Sequence, residues 1–492
     1  TLIMANGQES NVHIQGRNIS FMNGSQVQGT GGNINVVASN SVTVEGTHPF
    51  FRTGLFGSTG SNLDAGDIII TAQKIMIRDG GRISSESSQG GDIFATGKGG
   101  DVTVNASDLI LLEGEGQTLS GNGASSFSTS TLRTAEAGNL KFTTNRLIIR
   151  DGAQVVASTA GSGAGGQISV DANVIELTGT SFDSQSASGI FSQTQGLGAA
   201  GNIVLNTQAL KVQDKAEVNV SSQGSASAGN LVVDSPFIVL NNSGRLRAES
   251  SNGGGGNIFL KNVNALFLNG GSQITTTAGG TSTGGNITIE ASVIAALPGG
   301  NNDITANALE GSGGRINIDT QGIFGFQVLT LEELQNLSPD LDPTQLPSND
   351  ITAISQSGDP TLSGQVNINT PETDPSDSTA ELSEKISIPP KLAQGCRAGQ
   401  ALGNGQFANV GRGGLPDGPT SPRSIPAVWD DLRPPAELQQ ASANVKNLTL
   451  PPATQTTPIV EAKGWQMTPQ GMMLVGPEQS PSTIALAHVG SC

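Results

Sequence analysis

Tyrosine is absent from these 492 residues, tryptophan occurs twice, and aromatic residues together make up 3%. That excludes a core built on large rings. Charged residues are scarce at 13%, about half the usual share of a globular domain. Basic residues are the scarcer kind: 24 Lys and Arg against 41 Asp and Glu leave a net charge of −17. Phosphate backbones are held by stripes of Lys and Arg, so this balance excludes a general nucleic-acid binder. No run of ~18 apolar residues occurs, which excludes a transmembrane helix. Three histidines, His13, His48 and His488, lie far apart without Cys or acidic motifs beside them, so neither a zinc site nor a catalytic triad is expected.

Glycine, in contrast, is abundant: 67 residues, roughly twice average usage. It does not fall at every third position, which excludes collagen. It marks a longer repeat instead, of the form small-Gly-polar-apolar-x-apolar. The second glycine falls at Gly32, Gly66, Gly100, Gly138, Gly166, Gly201, Gly229, Gly256, Gly285 and Gly314, at intervals of 27 to 38 residues. About eight residues after each copy comes a second alternating stretch. A turn such as Asp79-Gly80 or Asp151-Gly152 and a further alternating stretch follow. Asp and Gly both tolerate the positive φ that such turns require.

This pattern predicts about three short strands per period. No single period can bury its apolar face, but stacked periods bury Ile, Val and Leu in columns. The expected fold is therefore all-β, a parallel β-helix of about 10–12 coils. A propeller needs longer blades and a Trp-Asp signature, and a calcium-binding roll needs a nonapeptide repeat; neither is present. Asn33, Asn139, Asn202, Asn230, Asn257 and Asn286 recur after the glycine and are expected to stack as a ladder at one corner, in left-handed backbone geometry and hydrogen-bonded to the coils above and below.

Composition changes near residue 338. Only Pro49, Pro236 and Pro298 of the 23 prolines precede it. The expected organisation is a β-helix over 1–325 and an irregular last coil with an excursion over 326–369. An acidic, Pro-rich linker over 370–395 and a capping or tethering region over 396–492 follow. A short helix is expected over Leu329–Leu337. The two cysteines, Cys396 and Cys492, form a disulfide if the chain is secreted, with two free thiols as the alternative. The chain opens at Thr1 in strand-like sequence, so any secretion signal is expected upstream.

Several segments carry a family resemblance. They are the Gly-Gly-Asn-Ile repeats, Gly322-Ile323-Phe324-Gly325-Phe326, Ser348-Asn349-Asp350-Ile351, Gln394-Gly395-Cys396, Gly411-Arg412-Gly413-Gly414, Trp429-Asp430-Asp431-Leu432 and Lys463-Gly464-Trp465. Together they resemble large cyanobacterial exoproteins of the filamentous-haemagglutinin-like class. The resemblance implies a right-handed β-helix, exported through an outer-membrane two-partner secretion barrel to the cell surface or beyond. It further implies a structural or adhesive protein, with cell-surface carbohydrate or further copies of the chain as partners.

Parallel β-helices also include polysaccharide-degrading enzymes, whose sites need acidic or basic groups converging from adjacent coils. Asp67, Asp92 and Asp101 are the best carboxylate candidates. Asp67 and Asp101 occupy the ladder position in consecutive coils, where a calcium site competes with Asp simply replacing Asn at a turn. Arg412, Trp429 and Trp465 read as structural before they read as anion or glycan contacts. No catalytic residue and no cofactor is expected. Head-to-tail stacking of copies into filaments is expected if both ends of the solenoid are bare.

Overall fold

The computed structural model describes residues 1–371, apart from 8–9, 88, 91–92, 95 and 120, together with the strands Gly464–Thr468 and Gly471–Val475. The chain divides into two compact units, Thr1–Ile386 and Ser387–Cys492. The described part of the second unit is an antiparallel hairpin that sets Gly464 opposite Val475.

The first unit is a parallel β-helix. Two parallel sheets of 13 strands each run along it, and successive coils contribute one long strand to the first and one short strand to the second. Ile68–Arg78 followed by Arg82–Ser87 is one such pair. The long-strand sheet passes through twelve coils, from Val12–Met22 to Gln365–Asn369. At about 4.8 Å per step the stack is about 50 Å long.

Three strands per coil were expected, and the structure joins the first two into one bent strand. In Ile68–Arg78, Ile68, Ile70 and Ala72 are buried, Gln73 and Lys74 both face solvent, and Ile75 and Ile77 are buried again. Slipping the alternation by one residue carries the strand around a corner while its ladder continues. In the eighth coil the two halves separate into Leu231–Asp234 and Phe237–Asn241. Pro236 lies between them and has no N–H to give the ladder. The buried residue at the bend is small, and where it carries a hydroxyl it fastens the bend. Thr207 and Thr320 donate to the carbonyls of Ala209 (3.1 Å) and Gly322 (3.0 Å), and Ser235 donates to that of Phe237 (3.0 Å).

The core is columnar. Ile34, Ile68, Val102, Leu140, Ile168 and Ile203 stack in register, each with no exposed surface. Each buried side chain of this size stabilises by about 1.5–3 kcal/mol. A thin column of aliphatic residues thus replaces the thick aromatic core that the composition forbids.

The recurring glycine has a steric cause. A Cβ on Gly66 would lie 2.0 Å from the carbonyl oxygen of Gly32, and one on Gly201 would lie 2.1 Å from that of Gly166. Neither glycine has a positive φ. It is contact between successive backbones that requires glycine there. The Asp-Gly turns behave as expected, with Asp79 at φ 48°, Asp151 at 56° and Gly80 and Gly152 at 83°.

After the last coil the chain builds a cap onto the short-strand sheet, while in the long-strand sheet Gln365–Asn369 has one strand neighbour among the described residues. Gln327–Val328 adds to the edge of Asp350–Thr352. The helix Leu331–Leu337 follows, closed by a reciprocal Thr330–Glu333 capping box; it begins two residues later than expected. Leu329, Leu331, Leu334, Leu341 and Ile354 form a separate small core beneath this cap. At the opposite end, Leu2–Asn6 and Val12–Met22 each have a strand neighbour on one side.

Candidate functional site

The asparagine ladder forms with hydrogen bonds from coil to coil. Each side-chain oxygen accepts the backbone N–H of the equivalent residue one coil on. Asn33 accepts from Asp67 (2.8 Å), Asp67 from Asp101 (2.9 Å), Asp101 from Asn139 (2.7 Å) and Asn139 from Gln167 (2.9 Å). It resumes at Asn202, which accepts from Asn230 (2.8 Å). Asn230 accepts from Asn257 (3.3 Å), Asn257 from Asn286 (3.1 Å), and Asn286 from Arg315 (3.1 Å). None of these asparagines has a positive φ, so the left-handed expectation is not met. The partner is a neighbouring coil, and left-handed geometry falls at other positions, in turns such as Asp79-Gly80 and at Asn262 within a strand.

Asp67 and Asp101 are rungs of this ladder, their Oδ1 atoms doing what an amide oxygen does elsewhere. Beside them is a cavity of about 460 Å³, lined also by Asp64, Lys98 and Glu136. The Lys98 N–H donates to Asp64 (2.7 Å), and its Nζ pairs with Glu136 at 3.2 Å. Among the described residues no three His, Cys, Asp or Glu side chains come together as a ligand set. His13 is exposed on an edge strand, and His48 stacks on Phe51 at 5.9 Å. Asp92, Cys396, Arg412, Trp429, His488 and Cys492 lie outside the described residues, as does the side chain of Trp465.

The concave feature of the rod lies elsewhere, along the bend of the long strands. One cavity of about 480 Å³ extends from Thr144 to Asn262, and a second of about 470 Å³ extends from Asn262 to Pro371. They share Asn262 and form one axial trough. Its floor is the small bend column, including Ala172, Thr207, Ala291 and Thr320. Among the described residues no lysine or arginine lines either cavity, and Lys261 is the register partner of Asp234 at their junction.

One wall is a register column rich in acids and amides, with Glu290 and Asp319 adjacent and Lys261 its one base. Asp171, Asn206 and Asp234 are paired in order on successive coils. In the next coil Lys261 is the register partner of Asp234, and a bulge follows in which Asn262, at φ 56°, turns its amide to Asp234. Glu290, Asp319 and Asn369 complete the column. The amides tie it together. Asn206 donates to Asp171 at 2.7 Å, Asn262 to both oxygens of Asp234 at 3.0 and 2.9 Å, and Asn369 to Asp319 at 2.7 Å. Asp171, Asp234 and Glu290 therefore repeat every second coil, about 10 Å apart.

The sequence reading missed this trough, although its signal is present. Asp171, Asn206, Asp234, Glu290, Asp319 and Asn369 each fall five residues after a repeat glycine, where the coil of Gly256 has Lys261 followed by Asn262, and aligning the coils exposes them. It also missed a set of lateral excursions. Intervals of 34, 38 and 35 residues begin at Gly32, Gly100 and Gly166, while those after Gly201 are 27 to 29. The extra residues form the hairpin Thr47–His48 with Phe51–Arg52, the hairpin Glu115–Thr118 with Gly121–Ala124, and a loop closed by Thr180 and Ala187. The first two are joined by donation from Thr47 Oγ1 to the Gln117 carbonyl (2.7 Å) and from the Leu119 N–H to that of Pro49 (2.8 Å).

Comparison with protein-family models, curated proteins and solved structures finds no match.

Proposed function

We propose that the chain is an extracellular, non-enzymatic structural and adhesive rod that holds a linear polysaccharide along its axial trough. The observation that carries this reading is the trough wall itself. Its acids and amides are repeated by the coil period, hydrogen-bonded to one another and so fixed in place before any ligand arrives. A preformed row of donors and acceptors suits an extended polymer better than a compact molecule. Carboxylates spaced every second coil match the disaccharide repeat of an extended β-1,4-linked glycan. The column carries the four carboxylates Asp171, Asp234, Glu290 and Asp319 against the single base Lys261, so sugars bearing ammonium groups are favoured over neutral or acidic ones.

Placement outside the cell, and export through a two-partner barrel, rest on the sequence resemblance. Assembly into filaments or matrix belongs to the same proposal as cross-linking by bound polymer. End-on stacking through the edge strands Val12–Met22 and Gln365–Asn369, each with a strand neighbour on one side among the described residues, is a second route.

A second reading has one observation in its favour. Glu290 and Asp319 are register partners on adjacent coils, and a carboxylate pair is what glycoside hydrolysis requires. One experiment separates the two. Titration calorimetry with β-1,4-glucosamine hexamer and with cellohexaose should show preferential binding of the amino sugar, weakened by salt. Asp234→Asn with Glu290→Gln should reduce binding tenfold or more, at about 1.5–3 kcal/mol per charged hydrogen bond. Absence of binding to both sugars, or equal binding by the variant, would overturn the proposal. Shortened products with wild type but not with Glu290→Gln would replace it with the enzymatic reading.

A further inference from the structure

Along the trough every carboxylate that is tied across coils meets an amide, as Asp171, Asp234 and Asp319 do. One pair on the short-strand sheet departs from this. Asp303 and Asp350 are register partners on neighbouring coils, and both are fully buried. Asp350 is well held: Gln327 Nε2 donates to its Oδ1 at 2.9 Å and Ser348 Oγ to its Oδ2 at 3.1 Å. Asp303 is not. Its Oδ1 receives a long contact of 3.4 Å from the Asp350 N–H, and its Oδ2 is buried without a hydrogen-bond partner. The groups facing it are Gln273 from the preceding coil, Asp350 from the following one and Asp342 from the excursion. None is positive. An isolated buried carboxylate of this kind is costly, and a proton removes the cost.

Gln327, Ser348 and Asp342 all belong to the excursion that forms the end cap. We propose that the Asp303–Asp350 pair is a proton-held latch: with one proton on the pair the cap formed by residues 326–349 is closed, and loss of that proton loosens it from the rod. The latch is independent of what the trough binds.

The direction of the pH dependence follows. Burial, and then the charge of Asp350, pushes the Asp303 carboxyl up to about 7 from an ordinary value of 3.8. Opening the cap returns it to the ordinary value. Below that value both forms are protonated and closure does not depend on pH. Between it and about 7 the closed form holds a proton that the open form has lost, so closure weakens as pH rises, by up to about tenfold per pH unit. Above about 7 both forms are ionised and the dependence ends.

Hydrogen exchange of the full chain tests this. The measurement follows amides 327–341 from pH 5 to 9, corrected for intrinsic rates, with amides of Ile203–Gln213 as internal reference. The opening constant of the cap should rise about a hundredfold between pH 5 and 7 and then level off, while the reference does not follow it. Asp303→Asn recreates the acid–amide pairing found along the trough and should flatten the curve. A flat wild-type curve, or an unchanged slope in Asp303→Asn, would overturn the proposal. If that variant does not fold, the wild-type comparison of cap with reference still decides.

Discussion

The run Gly253-Gly254-Gly255-Gly256 contains a sharp internal control on why the repeat uses glycine. A Cβ on Gly256 would lie 2.0 Å from the carbonyl oxygen of Gly229. An ordinary contact begins near 3.4 Å, so the neighbouring coil would have to retreat by about 1.4 Å. The Leu231 N–H donates to the Asn257 carbonyl at 2.8 Å across this same gap, and such a retreat breaks that bond. Overpacking costs about 1–3 kcal/mol, and one or two lost backbone hydrogen bonds add about 1 kcal/mol each. Gly256→Ala should therefore destabilise by about 2–5 kcal/mol. Two residues away, a Cβ on Gly254 meets nothing closer than the Ser227 hydroxyl at 3.1 Å, and its φ is not positive. Gly254→Ala should be within about 1 kcal/mol of wild type, on the stabilising side through the unfolded chain. Urea denaturation followed by far-UV circular dichroism measures both. In a solenoid the damage falls on one coil–coil interface, so Gly256→Ala should also split the transition into two. Equal curves for the two variants would refute the claim that backbone contact dictates the glycine.

Two further predictions concern local devices. Asn230→Ala removes the acceptor for the Asn257 N–H and should cost about 1–2 kcal/mol in the same assay. Asn230→Asp, which keeps the oxygen as Asp67 and Asp101 do, should cost less than half as much. Thr330→Ala breaks the capping box and should weaken hydrogen-exchange protection of residues 331–337 by about 1 kcal/mol, with the coils before Gly314 unaffected.

Much of the fold was legible because stacking imposes one rule on every coil. The glycine, the rung residue after it and the alternating apolar residues recur in sequence for the same reason that they touch in space. Asp79-Gly80 and Asp151-Gly152 were readable as turns because positive φ restricts residue choice locally. The merging of two strands into one was not readable, since Gln73-Lys74 resembles a loop unless the ladder is known to continue through it. The coil-to-coil bonding of Asn33 and its successors was legible, but left-handed geometry there was inferred from residue type alone, and the ladder oxygen reaches its partner without it. The latch was invisible for a similar reason. Asp303 and Asp350 are separated by an excursion that no repeat spacing anticipates, and burial of either depends on that excursion.

The central claim is that the order of charges along the trough, and not merely their number, sets what it binds. Exchanging Asn206 and Asp234 through the double substitution Asn206→Asp, Asp234→Asn keeps the net charge and the residue types but destroys the two-coil period. Titration calorimetry with β-1,4-glucosamine hexamer should show affinity lost by tenfold or more relative to wild type. Undiminished affinity in the exchanged chain would contradict the account.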